Sequence, residues 1–191
     1  MNFLNLFVLV PVLTVIAILI AKNYRQARIA SAIGMGIQLI LSAVLIFWYL
    51  ALRKAGATDE FLFRSVTVWF ESLNITYAIG VDGISVAMIG LTSLVVFAGV
   101  FASWDSVEEL PREFFTFLIL LSAGVFGFFI TTDMFSMFLF YEIAVIPMYL
   151  LIGIWGTGPR HYSAMKLTLM LMGGSALLRL GWVSSSFCLQ C

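Results

Sequence analysis

Apolar stretches of roughly twenty residues recur along the chain, each closed by a short polar break, and their lengths set the first expectation. Phe3 to Ala21 runs uninterrupted to the basic patch Lys22, Arg25 and Arg28. Ser31 to Leu52 follows, and its end, Phe47-Trp48-Tyr49 with Arg53-Lys54, has the aromatic and basic character of a membrane–water interface. Ile84 to Trp104, Phe114 to Ile130, Met134 to Ile152 and Tyr162 to about Trp182 complete the series. A bilayer core about 30 Å thick needs about 20 apolar helical residues. The pattern therefore predicts an all-α polytopic membrane protein with about six transmembrane helices. The first run is too long for a cleavable leader and lacks a basic start, so it reads as a permanent span.

The breaks carry their own expectations. Only Thr131-Thr132-Asp133 separates the fourth and fifth runs, which forces a tight helical hairpin. The longest connection, Arg53 to Gly83, holds two β-branched and aromatic runs, Ser65 to Trp69 and Asn74 to Ala78, around Glu71-Ser72-Leu73. A small β-hairpin on the membrane surface is expected there, with an irregular loop as the alternative. Ser106-Val107-Glu108-Glu109 fits a helix capping box, with Pro111 closing the short turn. Loop charges favour the ends of the chain outside: the inner loops would hold Lys22, Arg25, Arg28, Arg112 and Arg160, the outer ones Arg53, Lys54 and Arg64.

Composition agrees and narrows the chemistry. The 191 residues are 62% hydrophobic and 10% charged, against roughly 45–50% and about 25% in soluble domains. Ten basic and ten acidic residues cancel, so no field of one sign invites nucleic acid. The single histidine, His161, and the two cysteines, Cys188 and Cys191, are too few for an iron–sulfur, bis-histidine haem or structural zinc site. No metal or redox cofactor is expected on this chain.

One residue breaks the apolar pattern in mid-span. Glu142 lies ~12 Å from one end of its run and ~15 Å from the other at the helical rise per residue. An ionised acid there costs about 2.5–3.5 kcal/mol even on insertion scales. Desolvation favours the neutral acid and a nearby cation the carboxylate, so an acid balanced between them can take up and release a proton. The bland alternative is a protonated Glu that only hydrogen-bonds a neighbouring helix. Pro147 has no N–H and so leaves the Ile143 carbonyl without its helical donor, beside Glu142. Tyr149, two turns beyond Glu142 on the same face, could extend a hydrogen-bonded line or anchor at the interface. Lys166 sits about one turn inside the sixth run, where it could approach Glu142 or snorkel to the surface. His161 and Arg160 belong to the loop, and Gly173-Gly174-Ser175 and Ala30-x-x-x-Gly34 read as helix-packing patches.

F-Y-E-I-A-V-I-P-M-Y-L-L-I-G-I-W-G, Phe140 to Gly156, resembles the membrane chain of bacterial NADH:quinone oxidoreductase, respiratory complex I, that is called chain M and corresponds to mitochondrial subunit four. G-V-D-G-I-S from Gly80, T-T-D-M from Thr131, and Y-S-A-M-K-L from Tyr162 followed by Gly173-Gly174-Ser175 occur in the matching order. The resemblance implies a proton-translocating subunit of the bacterial cell membrane, with Glu142 and Lys166 matching the family's relay acid and lysine. NADH, FMN, iron–sulfur clusters and quinone would then belong to partner subunits, and the sister antiporter-like chains would be neighbours. It further implies that residues 1–182 are the N-terminal part of a longer, here truncated, antiporter-like bundle. The change to Arg179, Ser184-Ser185-Ser186 and the cysteines suggests that residues 183–191 are a non-native tail. A cation/proton antiporter subunit and a non-pumping membrane scaffold are the alternative readings.

Overall fold

The computed structural model describes residues 3–21, 23–54, 62–70, 75–104, 107, 110–156 and 158–188, without the side chains of 66–70, 75–76 and 178–188. Six long helices alternate in direction: α1 (Leu6–Ile20, preceded by a 3-10 turn at Phe3–Asn5), α2 (Tyr24–Lys54), α3 (Gly83–Ala102), α4 (Pro111–Ile130), α5 (Met134–Trp155) and α6 (Arg160–Cys188). Five of them, counting Phe3–Ile20 as the first, are long and apolar enough to cross a membrane among the described residues. The protein is thus a multi-pass helical membrane protein. The sixth helix is 29 residues long, but Arg160, His161 and Lys166 make its first two turns polar. It runs unbroken past Arg179, so the expected boundary at 182/183 falls inside a helix.

Between α2 and α3 the expected hairpin is present and longer than its sequence signature. Strands β1 (Leu62–Phe70) and β2 (Ile75–Val81) pair antiparallel with Leu62 opposite Val81 and Thr67 opposite Tyr77. The turn residues 71–74 lie outside the described residues. Ile79 bridges to Thr131, and the Thr132 N–H donates to the Ala78 carbonyl at 3.0 Å, so β2 extends onto the α4–α5 turn. The hairpin therefore closes one end of the bundle. Leu62, Ile79 and Val81 join Leu4, Phe7, Leu45, Tyr49, Val86, Ile89, Phe126 and Ile130 in one buried cluster. Burial pushes the Tyr77 phenol up, and a hydrogen bond with the Thr131 side chain partly offsets this. A second cluster, Ile18, Ala27, Met35, Val100, Phe115 and Ile119, fills the opposite end.

Two sequence expectations need correcting. Tyr24–Lys54 is one helix of 31 residues, about 46 Å long and well beyond a bilayer core of about 30 Å. Arg25 and Arg28 therefore ride on its first turns and not in a loop. Pro111 opens α4 at its first turn instead of ending a turn, since its missing N–H is not needed there; Leu110 before it takes φ 48°. The capping box at 106–109 lies, except for Val107, outside the described residues, as does Lys22.

Helix ends explain where the cations go. Arg112 donates from Nη2 to the Leu19 carbonyl near the end of α1, and Arg160 Nη1 donates to the Ile154 carbonyl near the end of α5 at 2.9 Å. Carbonyls in a last turn have no helical donor and carry the negative end of the helix dipole. Within the spans, hydroxyls bond back to their own helix, as Thr14 does to Val10, Ser93 to Ile89 and Ser122 to Ile119, so small polar residues enter the core without unmet hydrogens.

Asp82 caps α3, its carboxylate accepting the Ser85 N–H at 2.7 Å, and that backbone bond holds its carboxyl below the usual carboxylate range. A depressed carboxyl stabilises the fold above its unfolded titration range and stops doing so as pH falls through its folded one. Asp82→Ala should therefore lower stability by about 1 kcal/mol near neutrality, and the gap to the native protein should close on acidification. A thermal-denaturation series in detergent from pH 7 down to about 3 checks this; a gap that stays constant would assign the loss to something other than the carboxylate.

Sidedness follows from the alternating helices, which put Arg25 at one end of the bundle and Arg64 at the other. Maleimide labelling of Arg25→Cys and Arg64→Cys in oriented membranes should mark opposite faces. Reaction of both from the same face would break the topology.

Candidate functional site

The position of Glu142 is decided by the helix in front of it. Asp133 caps α5 by accepting the Ser136 N–H at 3.1 Å, so α5 turns back on α4 after only three residues. On α4, a Cβ at Gly124 would lie 2.9 Å from the Ala144 backbone nitrogen, and one at Gly127 would collide with the Phe140 ring. The two glycines let α5 approach to backbone contact, as small residues do in membrane bundles. Phe140 and Ala144 therefore define the α5 face turned to α4. Glu142 is two residues from each, about 200° around the helix. It points away from α4 and towards α6.

There its partner is Ser175. The Ser175 Oγ donates to the Met172 carbonyl at 2.8 Å and lies 3.4 Å from Glu142 Oε1. Ser175 is buried at 6% exposure, while Glu142 is half-buried. The adjacent Tyr141 hydroxyl donates to the Leu171 carbonyl at 3.4 Å, a second polar tie across the same seam. A serine hydroxyl has one hydrogen and spare acceptor capacity. Opposite an ionised Glu142 it can turn that hydrogen to Oε1; opposite a protonated one it accepts the acid's hydrogen while keeping its own on Met172. Ser175 thus serves both protonation states without moving its backbone.

Pro147 is buried within α5, and the Ile143 carbonyl it deprives of a donor lies next to Glu142 in the chain. Tyr149 is on the Glu142 face but 38% exposed, and no hydrogen bond ties it to Glu142 among the described residues.

Lys166 is not brought to Glu142. The antiparallel pairing sets Gly153 against Ala164, with the added Cβ 3.9 Å away, and Glu142 against Ser175. Lys166 therefore stands nine residues, about 13.5 Å, along α6 from the level of the acid. It also occupies another face, exposed beside Tyr162, Met165, Leu169 and Met170, with Nζ 6.0 Å from the Tyr162 ring centroid. Seen in sequence, Ser175 belonged to a small-residue packing patch; its role needs the helix register, which no motif announces. Among the described residues no three His, Cys, Asp or Glu side chains converge.

The geometry is that of a membrane-helix bundle in which a short-turn helical hairpin carries a mid-span acid, with a following helix laid against it. Residues 131–186 match a family model described as NADH:quinone oxidoreductase/Mrp antiporter, TM, a span that holds α5 and the Glu142–Ser175 pair. The chain is 29% identical over 166 residues to NAD(P)H-quinone oxidoreductase chain 4-2 of Synechocystis sp., covering 87% of this chain and 29% of that one. It is 30% identical over 186 residues to NAD(P)H-quinone oxidoreductase chain 4 1 of Synechococcus sp., covering 97% of this chain and 34% of the relative. The same fold occurs in respiratory complex I from Thermus thermophilus with bound NADH, at TM-score 0.73 and 22% identity over 90% of this chain and 33% of that one. The resemblance to the subunit-four type of complex I membrane chain is borne out by these relatives. The chain spans about a third of their length.

Substitution on α4 tests the account of how Glu142 is aimed. Gly124→Val would force α5 outward and should cost about 1–3 kcal/mol, as overpacking does. Gly99→Ala, where nothing lies within 4 Å, should leave stability unchanged or raise it. Equal melting temperatures for the two variants would remove the seam from the argument.

Proposed function

We propose that this chain takes part in proton translocation within a membrane-embedded NADH:quinone oxidoreductase, with Glu142 as the proton-carrying group. The carrying observation is the placement of Glu142: among the described acids it alone lies within the interior of a span, where the helix hairpin turns it to a hydroxyl that suits both its charged and neutral forms. An intramembrane acid is functional more often than structural because its insertion is costly. Pro147 contributes the bared Ile143 carbonyl, a second polar point beside the acid. Tyr149 is the next hydroxyl along the same face of α5. Lys166, offset along α6, acts on Glu142 at most through longer-range electrostatics.

In this reading NADH, FMN, the iron–sulfur clusters and the quinone reside on partner subunits, and the chain's own work is to hold and pass protons. Its neighbours are the other membrane subunits of the complex, the sister antiporter-like chains, and its location is a bacterial cell membrane. The description of the matching family also covers Mrp antiporters, and that supports a second reading as a cation/proton antiporter subunit. The two differ in their dependence on quinone reduction.

In the assembled complex, Glu142→Gln keeps the shape and removes the ionisable group. It should lower quinone-coupled proton pumping by on the order of 10²-fold, the scale of a lost acid–base group, with assembly intact. Glu142→Asp should retain part of the rate. Ser175→Ala and Lys166→Ala should each cost less than Glu142→Gln. Pumping at the native rate in Glu142→Gln would make the residue a structural hydrogen bonder. Cation-driven proton exchange without quinone would favour the antiporter reading.

A further inference from the structure

A second polar point lies deep in the bundle, away from Glu142. Pro11 sits inside α1 and has no N–H, so the Phe7 carbonyl one turn earlier has lost its helical donor. Gln38, on α2, is fully buried and donates from Nε2 to that carbonyl at 3.2 Å. The amide supplies from one helix the hydrogen missing in the other. This orientation fixes the other end of the amide, because a flipped Gln38 would set oxygen against oxygen.

Gln38 Oε1 is then buried without a protein partner among the described residues. An unmet buried acceptor costs about 1–3 kcal/mol. Such groups in native interiors are usually met by ordered water, which needs two to four polar partners. Candidate partners lie on the same two helices. The Phe7 carbonyl has a second lone pair, and Thr14, two turns from Phe7 on the same face of α1, is buried and donates its only hydroxyl hydrogen to Val10 at 2.8 Å. Its acceptor lone pairs stay open. Thr14 packs against Gly34, one turn from Gln38 on α2, so all three groups belong to one α1–α2 contact.

We propose that Gln38 Oε1, with the Phe7 carbonyl and the Thr14 hydroxyl, forms a binding site for one buried water molecule at the α1–α2 contact. The ligand is a small neutral donor, because Oε1 can only accept and none of the three groups, the Gln38 amide, the Phe7 carbonyl and the Thr14 hydroxyl, is ionisable. The water gives one hydrogen to Gln38 and has Thr14 or Phe7 for the other. The site is independent of the proton-carrying role of Glu142.

The test is a cryo-electron microscopy map of the intact membrane complex, at a resolution that shows ordered waters. The expected result is a density peak within about 2.7–3.2 Å of Gln38 Oε1, with the Gln38–Phe7 contact kept. That contact with no peak at Oε1, or with a protein group there instead, overturns the proposal. Radiolytic hydroxyl-radical footprinting gives a readout in solution, since radiolysis of bound water yields hydroxyl radicals that oxidise side chains beside it. Phe7, fully buried and joined to Gln38 through its carbonyl, should be labelled in the native complex and fall to the level of other buried side chains in Gln38→Leu. Labelling of Phe7 that is equal in both would refute the site, and if Gln38→Leu fails to assemble, the native map decides alone.

Discussion

The close approach of α4 and α5 is the constraint from which the rest of the site follows. In a bilayer there is little hydrophobic gain in joining two apolar helices, so contact depends on backbone proximity and packing. Gly124 and Gly127 permit that proximity, and the Asp133 cap starts α5 at once, so the hairpin has one register. With Phe140 and Ala144 committed to α4, the helical repeat leaves Glu142 no choice but the opposite side. The orientation of the acid is therefore set by residues that never touch it.

The second constraint is that hydrocarbon offers no hydrogen bonds to an exposed carbonyl. Two prolines within helices create such carbonyls, at Phe7 and at Ile143. The chain answers the first with a buried amide from the neighbouring helix. The second is left beside the only interior acid of α5. One proline's bared carbonyl thus joins two helices, and the other's lies beside an acid.

The helices, the tight turn at 131–133 and the two strands were legible because each rests on local pattern: long apolar runs, a three-residue break, β-branched alternation. Glu142 was legible for the same reason, being an exception to its own run. What local pattern left open was relational. Lys166 could have approached Glu142 or snorkelled to the surface, and the pairing of Gly153 with Ala164 sets the register and puts a serine opposite the acid. The Gln38–Phe7 bond spans 31 residues and joins a proline's defect on one helix to an amide on another, so no window of sequence contains it. The expectation for Pro111 failed differently: a proline can end one element or begin the next, and only the backbone on either side decides.

Opposite an acid that is to be accommodated both charged and neutral, a neutral hydroxyl has an advantage over a close cation. A lysine within contact of Glu142 would favour the carboxylate and resist its protonation, while removing either charge would leave the other unpaired at several kcal/mol in a low-dielectric interior. Ser175 imposes no such bias. Its hydrogen chooses between Met172 and Glu142, a choice between two bonds of similar kind, so the two protonation states differ little in the local bonds they can make. Lys166, exposed and about 13.5 Å along α6, stays outside that contact, so among the described residues it is the hydroxyl that meets the acid in either state.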